Sequence, residues 1–132
     1  MRLSPLFLGM GLLIASGFAT ASEGCENPTT QLEMTECSAQ AYEAADTELN
    51  ESYQVLVSQL KDNAPALEKL RSAQRAWIGF RDAECAFESG AVEGGSAQPM
   101  VRNGCLERVT AARTQRLQDY ASCEEGDLSC SH

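Results

Sequence analysis

Residues 30–62, TQLEMTECSAQAYEAADTELNESYQVLVSQLKD, decide how this chain folds. Apolar residues recur there as Met34, Cys37, Ala41, Ala45, Leu49, Tyr53, Leu56 and Leu60, steps of three and four that hold one stripe on one face of a helix for some thirty residues. Thr30 followed by Glu33 is a capping-box signature. It offers a hydroxyl and a carboxylate to the free amides of a helix start. The stretch therefore reads as one long helix beginning at Thr30 and ending near Lys61-Asp62.

The same pattern continues on either side of two interruptions. Asn63-Ala64-Pro65 punctuates the chain, since Asn can cap a helix and Pro is tolerated in a first turn. A second helix is expected from about Ala64 to Glu88, burying Ala66, Leu70, Ala73, Trp77, Phe80 and Phe87, with Leu67, Ile78 and Cys85 beside them. Ser89-Gly90-Ala91-Val92-Glu93-Gly94-Gly95 is too rich in glycine to stay helical. A third helix starts at Ser96 or a neighbour and carries Met100, Val101, Cys105, Leu106, Val109, Ala112, Leu117 and Tyr120. Short connections make an antiparallel up-down-up three-helix bundle the expected all-α fold.

The first 21 residues read separately. Arg2 precedes the apolar run Leu6 to Ala15, and Ala19-Thr20-Ala21 is an A-x-A site, so residues 1–21 are expected to be a cleaved signal peptide. The run is shorter than the ~20 residues a bilayer span needs and is broken by Gly9 and Gly11. No membrane insertion is expected. The remaining organisation is a helical domain over 22–122 and a polar tail over 123–132.

All six cysteines, Cys25, Cys37, Cys85, Cys105, Cys123 and Cys130, follow that segment, and an even number in an oxidising compartment reads as three disulfides. The favoured pairs are Cys25 with Cys37, Cys85 with Cys105 and Cys123 with Cys130, because only short loops need closing. Folding about turns near Lys61-Asp62 and Gly95 also sets Cys37 level with Cys85, which leaves a bridge from Cys37 across the bundle open.

That register brings Asp46, Trp77 and Arg113 into one layer, with Tyr42 opposite Arg81 and Asn50 opposite Gln74. A polar residue facing a helical core needs a partner, so Asp46 is expected to pair with Arg81 or Arg113 and Asn50 with Gln74. Trp77 is expected to be the most buried aromatic. The layer holds too few acids and no His for a carboxylate site.

Charge narrows the function further. Ten Lys and Arg against nineteen Asp and Glu give a formal charge of −9. Cleavage after Ala21 removes one cation, Arg2, and no acid, leaving nine cations, nineteen acids and a charge of −10 over 111 residues. Nucleic acid is excluded as a partner for want of cationic clusters. No catalytic residue is assigned: His132 is the only histidine, the acids are scattered on helix faces, and bridged cysteines leave no thiolate. No Cys-x-x-Cys pair supports a metal, and no cofactor is implied.

The run Cys25…Gln31-x-Glu33-Met34-x-x-Cys37…Tyr42…Ala45-Asp46-x-x-Leu49-Asn50-x-x-Tyr53, followed by Leu70-Arg71-x-Ala73-Gln74-Arg75-Ala76-Trp77-Ile78-x-Phe80-Arg81-Asp82-Ala83-Glu84-Cys85, resembles the LprI-type lysozyme inhibitor domain family. Glu93-Gly94-Gly95-Ser96 and Cys105…Thr110…Arg113-Thr114…Leu117 are similar to it as well, so the likeness runs from about Cys25 to Tyr120. The tail pair Cys123 and Cys130 goes beyond the usual pattern. The resemblance implies a secreted or periplasmic, non-catalytic helical module that inhibits lysozyme. A strongly acidic chain suits a basic partner of that kind. The competing class is an envelope scaffold that binds another protein or peptidoglycan. For the binding surface, the expectation is the loop around Glu88, Glu93, Gly94, Gly95 and Ser96, where carboxylates flank a flexible protrusion; in the plainer reading Gly94-Gly95 only turns the chain.

Overall fold

Thr30 turns the chain into its first helix through both halves of a capping box. Its side chain accepts from the Glu33 amide at 3.1 Å, and Glu33 Oε2 accepts from the amides of Thr29 at 2.7 Å and Thr30 at 3.1 Å. These contacts come from a computed structural model that describes residues 24–124 and 126–130. The expected signal segment, 1–21, and His132 lie outside the described residues.

Three helices follow in order, α1 (Gln31–Gln59), α2 (Ala64–Ser89) and α3 (Gln98–Ala121), with a 3-10 turn over Gly90–Val92; no strand occurs among the described residues. Asn63 caps α2 by accepting from the Ala66 amide at 3.1 Å, with Pro65 in the first turn where a missing N–H costs nothing. The third helix starts beside Ser96, as expected, with its cap one residue on. Ser96 is exposed, Ala97 takes the cap position without a side-chain bond, and Pro99 sits in the first turn. Gly94 makes the reversal possible at φ +76°, a conformation that L side chains rarely adopt.

The first and third helices run parallel in close contact, as an up-down-up bundle requires. Asn103 donates to Ser38 Oγ at 3.2 Å, Gln118 to Ser52 Oγ at 3.2 Å and Gln59 to the Ala121 carbonyl at 3.1 Å, so partners stay in step from one end to the other. Small polar residues, Ser52, Thr110 and Thr114, are buried along this seam with Leu49, Leu56, Leu106 and Leu117. Their size lets the two backbones approach. Thr114 Oγ1 donates to the Thr110 carbonyl at 3.1 Å, while Thr110 Oγ1 has no hydrogen-bond partner among the described residues.

The second helix packs mainly on α3 and the 3-10 turn, and its backbone approaches α1 only sparsely. This corrects the expected burial along α2. Leu70 and Cys85 are buried, but Ile78 is 41% exposed, Phe80 56% and Phe87 84%. Trp77 is half-buried, in company with Tyr42, Tyr53 and Tyr120, so it does not reach the full burial expected of a core aromatic. The disulfides are Cys25–Cys37, Cys85–Cys105 and Cys123–Cys130, which closes the alternative of a bridge from Cys37 across the bundle.

Candidate functional site

Cys85–Cys105 ties the last turns of α2 to the first turns of α3, and both cysteines are fully buried. Ser89 donates back to the Cys85 carbonyl at 2.7 Å within the last turn of α2, which satisfies its buried hydroxyl. Glu88 lies in the last turn of α2, and the connection beyond it carries Glu93, Gly94, Gly95 and Ser96, all exposed. They are not equally available. Arg108 Nη2 donates to Glu88 Oε1 back across the α2–α3 junction, whereas Glu93 has no cation within ion-pair distance among the described residues. The Gly94 amide donates to Gln98 Oε1 at 2.9 Å, and a Cβ on Gly95 would meet the Val92 carbonyl at 3.1 Å. The result is a narrow turn of bare backbone beside one unpaired carboxylate.

A second arrangement surrounds Trp77. The Arg81 guanidinium carbon lies 5.3 Å from the Trp77 ring centroid and 5.9 Å from that of Tyr42, and Arg113 stands 5.9 Å from Trp77. Arg81 Nη1 is 3.8 Å from Asp46 Oδ1, and its Nε donates to Asp82 at 3.0 Å. Asn50 does not meet Gln74. It donates to Asp46 Oδ2 at 3.2 Å within α1, while Gln74 Oε1 accepts from Arg113 Nε at 3.0 Å. The sparse approach of α1 and α2 explains the change of partners: an amide reaches its neighbour one turn away more readily than one across a groove. That groove, about 490 Å³, is lined by Tyr42, Asp46, Asn50, Gln74 and Arg81 among others. Burial pushes the Arg113 guanidinium below its ordinary value, with the Arg116 charge adding in the same direction. Chemically the layer is a clasp of stacked cations and amides that joins three helices. No group of three or more His, Cys, Asp or Glu is placed to hold a metal among the described residues, and no described cysteine is free.

The negative charge is unevenly spread. The first helix carries Glu33, Glu36, Glu43, Asp46, Glu48 and Glu51 and no Lys or Arg, and all but Asp46 are exposed. In contrast, α3 carries Arg102, Arg108, Arg113 and Arg116 against Glu107 and Asp119. A count of charges helix by helix gives this asymmetry from sequence alone; the chain-wide total conceals it.

The family described as "Lysozyme inhibitor LprI" matches residues 22–117, a span that includes α1, α2 and most of α3. An uncharacterised protein of Rhizobium meliloti is 37% identical over 112 residues, covering 76% of this chain and 81% of the relative. Among solved structures, a DUF1311 family protein from Pseudomonas putida aligns with a TM-score of 0.66 at 27% identity, over 73% of this chain and 97% of that one.

Proposed function

The chain belongs to the LprI family of lysozyme inhibitors, and from that premise we propose that it is an exported, non-catalytic protein that binds a lysozyme and blocks its cleft. The observation that carries the reading is the extent of the family match, which includes the Trp77 layer, the Cys85–Cys105 bridge and the loop between them. Three disulfides suit a periplasmic or extracellular setting, where thiols are kept oxidised.

Lysozymes of animal hosts are strongly basic. A chain with formal charge −9 attracts such a partner over a distance of order one Debye length, ~10 Å at 0.1 M salt, and raises the rate of encounter. The exposed carboxylates of α1 supply most of this field. The turn from Glu88 to Ser96 supplies the shape: it is the narrow protrusion a cleft accepts, with Glu93 free to meet a basic rim. Titration of a basic lysozyme with the purified, oxidised protein tests the proposal. Saturable binding with loss of lytic activity supports it, and binding without any loss of activity favours a scaffold role.

A further inference from the structure

We propose that the cavity beside the α1–α2 turn binds an amphipathic anion, a carboxylate on a medium-length aliphatic chain. The cavity lies at the opposite end of the bundle from the Glu88–Ser96 turn and measures about 510 Å³, within the ~300–1,000 Å³ of small-molecule sites. Leu56, Leu60 and Leu70 lie beneath it, almost wholly buried, and Pro65, Ala66 and Ala73 supply the apolar surface nearer solvent. An apolar lining without a facing pair of aromatic rings suits an alkyl body.

The charged residues at its edge decide the head group. Among the described residues they are Lys69 and Arg113, with no Asp or Glu, although the chain holds nineteen acids and ten cations. Among the described residues neither cation has a carboxylate within 4.0 Å. Arg113 is half-buried and spends its Nε on the neutral oxygen of Gln74, which leaves the outer nitrogens of its fork for a ligand. A cation partly withdrawn from water and lacking an acid gains most from an anion brought in with an apolar body. Its lowered proton affinity, caused first by burial, agrees with that environment. Tyr120 joins the lining, its hydroxyl accepting from Arg116 Nε at 3.2 Å.

Trp77, the single tryptophan, reports on the site because Arg113 stands over its ring. Decanoate, kept below its micelle concentration, is titrated into the full mature protein while Trp77 emission and heat of binding are followed. Saturable binding is expected, weakened about fivefold by Lys69→Gln, the size of one partly exposed ion pair. Ala73→Leu, which fills the cavity from α2, abolishes it while helical circular dichroism is retained. If that variant loses its helicity, Lys69→Gln decides. Decyltrimethylammonium, with the same chain length and opposite charge, does not bind. Absence of saturable binding by decanoate, equal binding by the ammonium, or unchanged affinity in both folded variants overturns the proposal.

Discussion

Arg81 lies over the face of Trp77, its guanidinium carbon 5.3 Å from the ring centroid, while Arg113 approaches the same ring at 5.9 Å. The indole is therefore in contact with cations from both α2 and α3 and remains half-buried. Trp77→Ala is expected to cost about 1–3 kcal/mol, less than the ~3–5 kcal/mol of a fully buried ring, because part of its surface is already in water. Urea denaturation measures it. A loss above about 4 kcal/mol would mean that the ring is sealed in the core.

The bridges differ in what they secure. Cys85–Cys105 is buried and closes a separation of 20 residues between two helices, so replacing both cysteines with Ala should cost about 3 kcal/mol. Cys123–Cys130 closes a separation of 7 in the tail beyond α3. Its removal should leave the thermal midpoint of the helices nearly unchanged. Equal losses from the two double mutants would show that the tail is part of the cooperative unit.

Much of this was legible in the sequence, and the failures share one cause. The capping box at Thr30 and Glu33, the Asn63-Pro65 restart and all three bridges follow from local rules and short loops. What α2 buries does not. The stripe containing Trp77, Phe80 and Phe87 has the spacing of a core face, but spacing says nothing about how near the next helix comes, and α1 packs on α3 instead. The same misjudged neighbour accounts for Asn50 bonding Asp46 and Gln74 bonding Arg113. Thr110 and Thr114 were absent from the expected core because they are polar. Their spacing from Leu106 and Leu117, in steps of three and four, was the available signal. At the candidate site, the Glu88–Ser96 turn was visible from its glycines, whereas the engagement of Glu88 by Arg108 depends on the angle between α2 and α3.

Acid should remove one defined contribution to stability. Backbone amides of Thr29 and Thr30, followed by the Thr29 hydroxyl, hold the Glu33 carboxyl below its ordinary value. A depressed folded pKa means that the contribution is fully present above the unfolded pKa and is lost as pH falls through the folded one. Glu33→Gln should thus be less stable than the parent at neutral pH and equal to it at a pH below both values. Thr30→Ala, which removes the other half of the box, should cost about 1 kcal/mol. A Glu33→Gln deficit that persists undiminished in strong acid would contradict this account.

The turn can be tested without disturbing the fold. Glu88→Gln with Glu93→Gln should weaken lysozyme inhibition and flatten its salt dependence, with the melting temperature nearly unchanged because the Glu88–Arg108 pair is surface-exposed. Since Glu93 has no such cation, the single change Glu93→Gln should account for most of the effect. Unaltered inhibition in the double mutant would move the contact to the carboxylates of α1.

The most direct measurement is the lytic activity of a basic lysozyme against increasing concentrations of the purified, disulfide-bonded protein without residues 1–21, at low and at raised salt. Dose-dependent, saturable inhibition is the expected result, weakening as salt screens the chain's negative charge. Full lytic activity at every concentration, at low salt and with the three bridges intact, would contradict it.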